Sequence, residues 1–438
     1  MKGTFSEQTV ARQDPQLAPA FAEAFRFWLK LGFISFGGPS GQIATMHSEL
    51  VERKKWIDEA RFLHALNFCM LLPGPEAQQL AIYIGWLLHK TRGGIVAGAL
   101  FVLPSIFVLW GLSYIYVAYG SIPWIAALFY GLKPAVLAIV AAAIIRIGHR
   151  ALRKIVMWLI AAAAFVAIYF FRAPFPAIIT GAAVLGFFAQ KYSRQSIPTL
   201  AKPTARSTIK DPTPTLTRSL PIAAIWISLW WIPIVLAGIF LGTQHAVFRQ
   251  GIFFSKAALI TFGGAYAVLP YVSQQAVENY HWLSAGQMLD GLGLAETTPG
   301  PLIMVLQFVG FIGAWNQPGH LPPLLAATLG ALITTWVTFV PCFLWIFLGA
   351  PYVETLRGRE SLSAALSAVT AAVVGVILNL AIWFGLHVIF PAGGNVDWFA
   401  AIVCAIAFVG MIRWKWNIVP VVLVSGLLGL VYTMTGFR

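Results

Sequence analysis

Charge is scarce in this chain: Asp, Glu, Lys and Arg make up 10% of its 438 residues, where soluble globular proteins carry roughly 25%. With 59% hydrophobic residues and a mean hydropathy of +0.79, that argues against a soluble fold. Cysteine is nearly absent. Cys69, Cys342 and Cys404 stand too far apart to suggest a disulfide framework or a ligand pattern. No Gly-rich loop running into Lys and Ser/Thr is found, so no nucleotide-driven motor is expected in this chain. The roughly ten-residue alternating segments of membrane β-barrels are missing too. Met1–Pro19 carries Glu7, Arg12 and Asp14 and lacks the basic start, short apolar run and cleavage site of a secretory signal. His64, His387 and the methionines have no metal spacing, and no nucleophile constellation stands out. No metal, no cofactor and no enzyme activity are expected.

What the chain does have is long apolar runs. Gly93–Leu132 is uncharged and holds two passes around a Gly120–Pro123 turn, and Leu220–Val247 is equally free of formal charge; one pass needs about 20 residues. Pro221 and Pro233 do not disqualify the second run, because membrane helices tolerate proline. The expected fold class is an all-α polytopic membrane protein in contact with membrane lipid. The net charge of +14 does not point to nucleic acid, because the basic residues cluster in short loops between apolar runs, as topology signals do.

An offset of 226 residues lays the second half over the first. Phe36-Gly37-Gly38 falls on Phe262-Gly263-Gly264, Pro73-Gly74-Pro75 on Pro299-Gly300-Pro301, and Trp56 on Trp282. Over Lys30–Gly85, 14 of 56 positions are identical, and internal repeats are a common basis of secondary transporters. Loop charge then bears on orientation. Glu49–Arg61 holds Arg53, Lys54, Lys55 and Arg61, whereas Ser273–Gly286 and Trp315–Pro322 hold no Lys or Arg. By the positive-inside bias the repeats are expected to be inverted. Arg357 and Arg359 mark a later basic loop, and Arg413 and Lys415 are the one pair that disagrees. The expected divisions are a polar tail over 1–20, a first transporter repeat over 21–190 and a basic cytoplasmic linker over 191–218. An inverting linker helix over 219–246 and a second repeat over 247–438 follow.

Both flanks of Phe62–Leu88 are basic and both flanks of Met288–Ile312 lack Lys and Arg. A straight crossing would put those flanks on opposite faces. A re-entrant pair of half-helices broken at Pro-Gly-Pro resolves the conflict; a Pro-kinked ordinary span is the alternative. The Phe-Gly-Gly segments pose the same choice. Broken helices matter chemically because their first N–H groups lack helical partners and carry the positive end of the helix dipole. Two helix starts facing each other make an anion site. The candidate binding residues are therefore Gly37, Gly38, Pro39, Gly41, Pro73, Gly74 and Pro75, with Gly263, Gly264, Pro299, Gly300 and Pro301 from the second copy. For the glycines the bland reading is close helix packing.

Charged residues inside apolar segments come next. Glu76, directly after Pro75, would repel a bound anion, so proton coupling or gating suits it better than coordination; hydrogen bonding between hairpins is its structural alternative. Glu296 could take a related part, or cap and pack. Lys133 sits between Trp124 and Arg146, where an ammonium needs a partner or a wet cavity. It could attract substrate, form an internal ion pair, or snorkel to an interface. Lys30 and Lys256, each six residues before a Phe-Gly-Gly, could draw anions inward or anchor helix ends.

These motifs resemble the chromate ion transporter family, the bacterial chromate-resistance permeases of the long, two-domain type. The resemblance rests on Phe36–Gln42, Trp56, Leu72-Pro73-Gly74-Pro75-Glu76, Gln79 and Gly85-Trp86. In the second copy it rests on Thr261–Gly264, Leu269-Pro270-Tyr271, Trp282 and Thr298–Pro301. It implies a multi-pass protein of the bacterial inner membrane that exports chromate from the cytoplasm, driven by membrane potential or a proton gradient. A sulfate/chromate exchanger or general oxyanion permease is the alternative, with sulfate and protons as further partners; a dimer is also expected. Ala265 in place of Pro39 and Leu302 in place of Glu76 argue against two identical substrate sites.

Overall fold

The computed structural model describes residues 19–36, 38–192, 216–350, 360–391 and 395–436. The tail 1–18, Gly37, most of the basic linker, and the loop of Arg357 and Arg359 lie outside the described residues. Among the described residues there are sixteen α-helices and no strand.

The first half opens with α1 (Phe21–Ile34), α2 (Gly38–His47) continued by a wide turn at Ser48–Arg53, and α3 (Glu59–Cys69). At 14, 10 and 11 residues and 1.5 Å per residue, none crosses a bilayer alone. α4 (Glu76–Tyr119) is a long helix folded back on itself at His89 and Lys90, whose backbone leaves the helical region. Gly85 and Gly93 let the two arms touch: a Cβ on Gly85 would lie 2.5 Å from the Gly93 carbonyl oxygen. Then follow α5 (Pro123–Ala151), α6 (Ile155–Phe171) and α7 (Phe175–Tyr192). After the connector helix α8 (Leu216–Leu241), the second half repeats the pattern. Its short helices are α9 (Ala246–Ile260), α10 (Ala265–Gln274) with its own wide turn at Gln275–Asn279, and α11 (Ala285–Thr297). α12 (Val305–Asn316) and α13 (Pro323–Gly349) form the counterpart of the folded α4, again closed by facing glycines, Gly310 and Gly330. α14 (Glu360–Ile389), α15 (Trp398–Arg413) and α16 (Ile418–Met434) complete it.

Local chemistry recurs at the 226-residue offset. Asp58 caps α3 by accepting from Arg61 N–H, and Ser284 caps α11 by accepting from Gln287 N–H. Lys54 N–H donates to Glu49 O at 2.9 Å, and Tyr280 N–H to Gln275 O at 2.8 Å. Phe27 and Trp56 pack edge to face with centroids 5.2 Å apart, and so do Phe253 and Trp282 at 5.6 Å. Even the exception follows the rule: Glu23 is paired with Lys54 at 3.0 Å, and the equivalent positions hold Arg249 over the Tyr280 ring at 5.3 Å.

These contacts show where each hairpin ends. The Lys54–Glu23 pair joins the residues after α2 to the start of α1, and His89 Nε2 donates to Pro19 O at 2.8 Å, bringing the first arm of α4 back to the same place. In the second half Asn316 Nδ2 donates to Trp282 O at 2.9 Å and Gln317 Nε2 to Tyr280 O at 3.1 Å, so α12 returns to the level where α11 began. Each half therefore contains two helical hairpins, one turning at Phe-Gly-Gly and one at Pro-Gly-Pro, the geometry that a re-entrant pair requires. The kinked-span alternative does not hold.

Among the described residues five helices are long and apolar enough to cross a membrane: α4, α5, α8, α13 and α14. The second arm of α4 and α13 run antiparallel, since Gly94 lies against Phe347 while Trp110 Nε1 donates to Thr328 Oγ1 at 3.1 Å. The halves also clasp each other by their last helices. Gly131 of α5 meets Ser425 and Gly429 of α16, and Gly375 and Gly186 bring α6 and α7 onto α14. Lacking side chains, these glycines permit the close helix approach that drives association where lipid removes the hydrophobic incentive.

Candidate functional site

The four hairpin tips meet. Gly74 N–H donates to Thr261 O at 2.8 Å, and Gly300 N–H donates to Ser35 O at 2.7 Å. Ser35 and Thr261 are themselves equivalent positions, each directly before a Phe-Gly-Gly, so each Pro-Gly-Pro turn is tied to the Phe-Gly-Gly tip of the other half. Both hydroxyls turn back onto their own helices, Ser35 Oγ to Leu31 O at 2.6 Å and Thr261 Oγ1 to Ala257 O at 2.7 Å. Gln42 Nε2 adds a bond to Gly300 O at 2.5 Å. A Cβ on Gly264 would sit 3.8 Å from Pro39 Cγ, which puts the starts of α2 and α10 side by side.

Long helices back the turns. Ser105 Oγ donates to Pro299 O at 2.5 Å, and a Cβ on Gly300 would fall 1.6 Å from that hydroxyl. A Cβ on Gly74 would fall 3.0 Å from Cys342 Sγ. Ser105 and Cys342 each follow a proline inside a helix, Pro104 of α4 and Pro341 of α13, so the backing too is duplicated. Gln79 Nε2 closes the first turn on Pro73 O at 2.7 Å.

Four helical segments begin at this cluster: α2 at Gly38, α4 at Glu76 after Pro75, α10 at Ala265, and the short turn Leu302–Met304 leading into α12 after Pro301. Their first N–H groups have no partner within the helix, and each full helix start carries roughly half a positive charge. The backbone at Gly38, Gly263 and Gly264 has φ of +70°, +79° and +94°, and nothing tighter than 3.8 Å would meet a Cβ there. Space and backbone polarity thus coincide at the Phe-Gly-Gly tips. Gly41 behaves differently: a Cβ on it would lie 2.8 Å from Phe36 O, a packing requirement.

The ionisable residues divide. Glu76 is the first residue of α4, inside the cluster. Glu296, buried one turn before the second Pro-Gly-Pro, accepts a short hydrogen bond from Tyr266, which lies on the first turn of α10. Lys133 is not at the tips; its Nζ lies 3.9 Å from Asp290 Oδ2 of α11. Lys30 and Lys256 are exposed on α1 and α9, and Lys30 lines a cavity with Glu23, Arg26, Phe27 and Lys54 at the outer end of the first hairpin. Among the described residues no cluster of His, Cys, Asp and Glu has the geometry to hold a metal.

Sequence reasoning gave no site role to Tyr266, Asp290, Ser35, Thr261 or Ser105, although Thr261 opens the Thr261–Gly264 signature. Asp290 was within reach, because the argument that a charge inside an apolar segment needs a partner applies to it as it does to Lys133. The other four are ordinary residues for a membrane helix, and only their meeting across the two halves gives them a role.

Comparison with known proteins adds the family. The chromate transporter family matches residues 22–187 and 248–430. A chromate transport protein of Cupriavidus metallidurans is 29% identical over 380 residues, 85% of this chain and 85% of that protein. A second, from Pseudomonas aeruginosa, is 29% identical over 420 residues, 94% of this chain and 92% of that protein. A probable chromate transport protein of Synechococcus elongatus is 28% identical over 375 residues, 84% of this chain and 86% of that protein. No solved structure matches significantly. The family match runs through both halves and covers all four tip motifs, so this chain belongs to the chromate transporter family.

Proposed function

We propose that this chain is a secondary transporter that exports chromate from the cytoplasm, binding the dianion between the four tips. The observation that carries the reading is the convergence of four helix starts on one cluster by reciprocal hydrogen bonds between the halves. Helix N-termini accept oxyanions through backbone N–H groups without a fixed cationic cage. Gly38, Pro39, Gly263 and Gly264 form the open part of the site, and the two Pro-Gly-Pro turns form its rigid walls. Family membership, with relatives named for chromate transport, supports chromate as the substrate.

An inside-negative potential favours outward movement of an anion by about 2.3 kcal/mol per charge per 100 mV, roughly 4.6 kcal/mol for an uncompensated dianion. Export therefore needs no ATP hydrolysis by this chain. Glu76 and the Tyr266–Glu296 pair are candidates for linking a proton gradient to that movement, since both carboxyls adjoin helix starts that would receive the anion. A second reading, an oxyanion permease or sulfate/chromate exchanger, is favoured by the backbone character of the site. N–H groups at helix starts read charge and tetrahedral shape, which chromate and sulfate share.

Purified protein in liposomes, with voltage and pH gradients imposed separately, tests both readings. Voltage-driven chromate flux with weak sulfate flux is the expected outcome. Equal flux of both anions supports the permease, and no chromate flux under any gradient or counter-anion defeats the assignment.

A further inference from the structure

A buried ionic cluster lies apart from the tips. Asp290 is on α11, five residues from its start, and is 4% exposed. Its Oδ2 accepts a hydrogen bond from the Tyr116 hydroxyl at 2.9 Å, and Lys133 Nζ stands 3.9 Å from the same oxygen. The other carboxylate oxygen, Oδ1, is buried without a hydrogen-bond partner. The lysine is far less enclosed, its side chain 31% exposed against 6% for the aspartate. At 3.9 Å the pair lies beyond hydrogen-bonding distance.

This is a loose pair, and its looseness is informative. An ion pair selected for stability would bring the ammonium into hydrogen-bond contact and satisfy both carboxylate oxygens. Here the carboxylate keeps its one good bond with Tyr116, and the lysine is held only by the longer contact, which a second anion can replace. The open side of the pair is the lysine's own: its ammonium runs close along α11, where a Cβ added at Gly286 would stand 3.4 Å from Lys133 Nζ, and the rest of the side chain is partly exposed. From Asp290, α11 leads to Glu296 and then to the second Pro-Gly-Pro turn; six residues of helix are about 9 Å. The pair is also one-sided. At the repeat offset Asp290 falls on His64, so the first half has no copy of it.

We propose that Lys133 is a second oxyanion subsite on the path through the protein, occupied at rest by the Asp290 carboxylate, which a transported oxyanion displaces. The proposal rests on the oxyanion-transport reading above. Asp290 acts as a built-in competitor. It keeps Lys133 from holding an anion permanently, and Tyr116 receives the carboxylate while the lysine is engaged. Conduction through multiple sites requires that each bind well enough to be entered and weakly enough to be left, and a competing carboxylate supplies the second condition.

The test combines calorimetric binding of chromate and of sulfate to the purified full chain with flux in liposomes. Asp290→Asn removes the competitor and should tighten anion Kd about tenfold, the shift that 1.4 kcal/mol produces, while slowing maximal flux because release is delayed. Lys133→Gln should weaken binding. In Lys133→Gln/Asp290→Asn the tightening should vanish, because there is no lysine left to unmask. Tyr116→Phe should act opposite to Asp290→Asn and weaken binding, since the displaced carboxylate loses its remaining partner; it serves where Asp290→Asn does not fold. An unchanged or weaker Kd in a folded Asp290→Asn protein overturns the proposal, as does tightening that persists in the double variant. Parent protein that binds oxyanions with these variant effects but moves none across the membrane leaves the subsite standing and defeats the transport reading. Parent protein that binds neither anion defeats both.

Discussion

At Gly300 an added methyl group would meet two separate obstacles. Its φ of +108° is one that L-residues rarely adopt, and the new Cβ would fall 1.6 Å from Ser105 Oγ. Backbone strain of this kind costs about 1–3 kcal/mol. Gly300→Ala should lower the thermal unfolding midpoint in detergent, and adding Ser105→Ala should recover only part of the loss, because Ser105 Cβ would still lie 2.9 Å from the new methyl and Pro299 O would lose its donor. Full recovery would mean that the backbone conformation is not demanding. A second residue-scale prediction concerns Glu296 and its donor Tyr266. Tyr266→Phe strips a buried carboxyl of its partner, a loss of about 1–3 kcal/mol. Glu296→Gln keeps an acceptor for the tyrosine and should be better tolerated. If the pair links protons to transport, Glu296→Gln should remove the response of chromate flux to an imposed pH gradient while leaving the response to voltage. An unchanged pH response would return Glu296 to a packing role; the same comparison with Glu76→Gln assigns or dismisses the first-half carboxyl.

The working elements are the hairpins, and the two that turn at Phe-Gly-Gly are held at their outer ends by different devices. Glu23 and Lys54 form an ion pair in the first half, where Arg249 and Tyr280 form a cation–π contact in the second. Exposed ion pairs contribute roughly 0–1 kcal/mol and weaken with salt. Glu23→Gln should therefore have a small, salt-sensitive effect on stability, whereas Arg249→Gln should be less salt-sensitive. Thermal unfolding across a salt series measures both. The return of α4 depends on steric access instead. At Gly93 a Cβ would lie 2.2 Å from the Gly85 carbonyl oxygen. Gly93→Leu should splay the two arms and abolish transport, even in protein that still inserts. Retained flux would show that the hairpin is held elsewhere.

For the whole molecule, the central proposal is that the two halves lie in opposite orientations across the membrane. The antiparallel course of α4 and α13 and the contrast in loop charge both support it. Cysteines introduced in Glu49–Arg61 should be labelled from the cytoplasm and those in Ser273–Gly286 from outside. Labelling of both from one side would refute the inversion, and a reporter near Arg413 would explain the one discordant basic pair. Inversion would give the protein a near-symmetric frame around the tips, on which single-copy residues, Glu76, Glu296, Lys133 and Asp290, impose direction.

Membrane class, duplication, helix breaks and the resemblance to a family can all be read from the order of residues. Those follow from quantities that are local or additive: apolar run length, loop charge, and the refusal of Pro and Gly to continue a helix. The re-entrant course was legible as one of two options, because charge on both flanks of a segment argues against a simple crossing. Which residues meet is a matter of packing. Gly74 bonds to Thr261 and Gly300 to Ser35 across 187 and 265 residues of chain, and no periodicity encodes such a pairing. Lys133 shows the same division. The energetic demand for a partner was readable from its place in an apolar helix, but Asp290 became that partner only when α5 and α11 packed together, because solvation is a property of the residue and proximity a property of the fold.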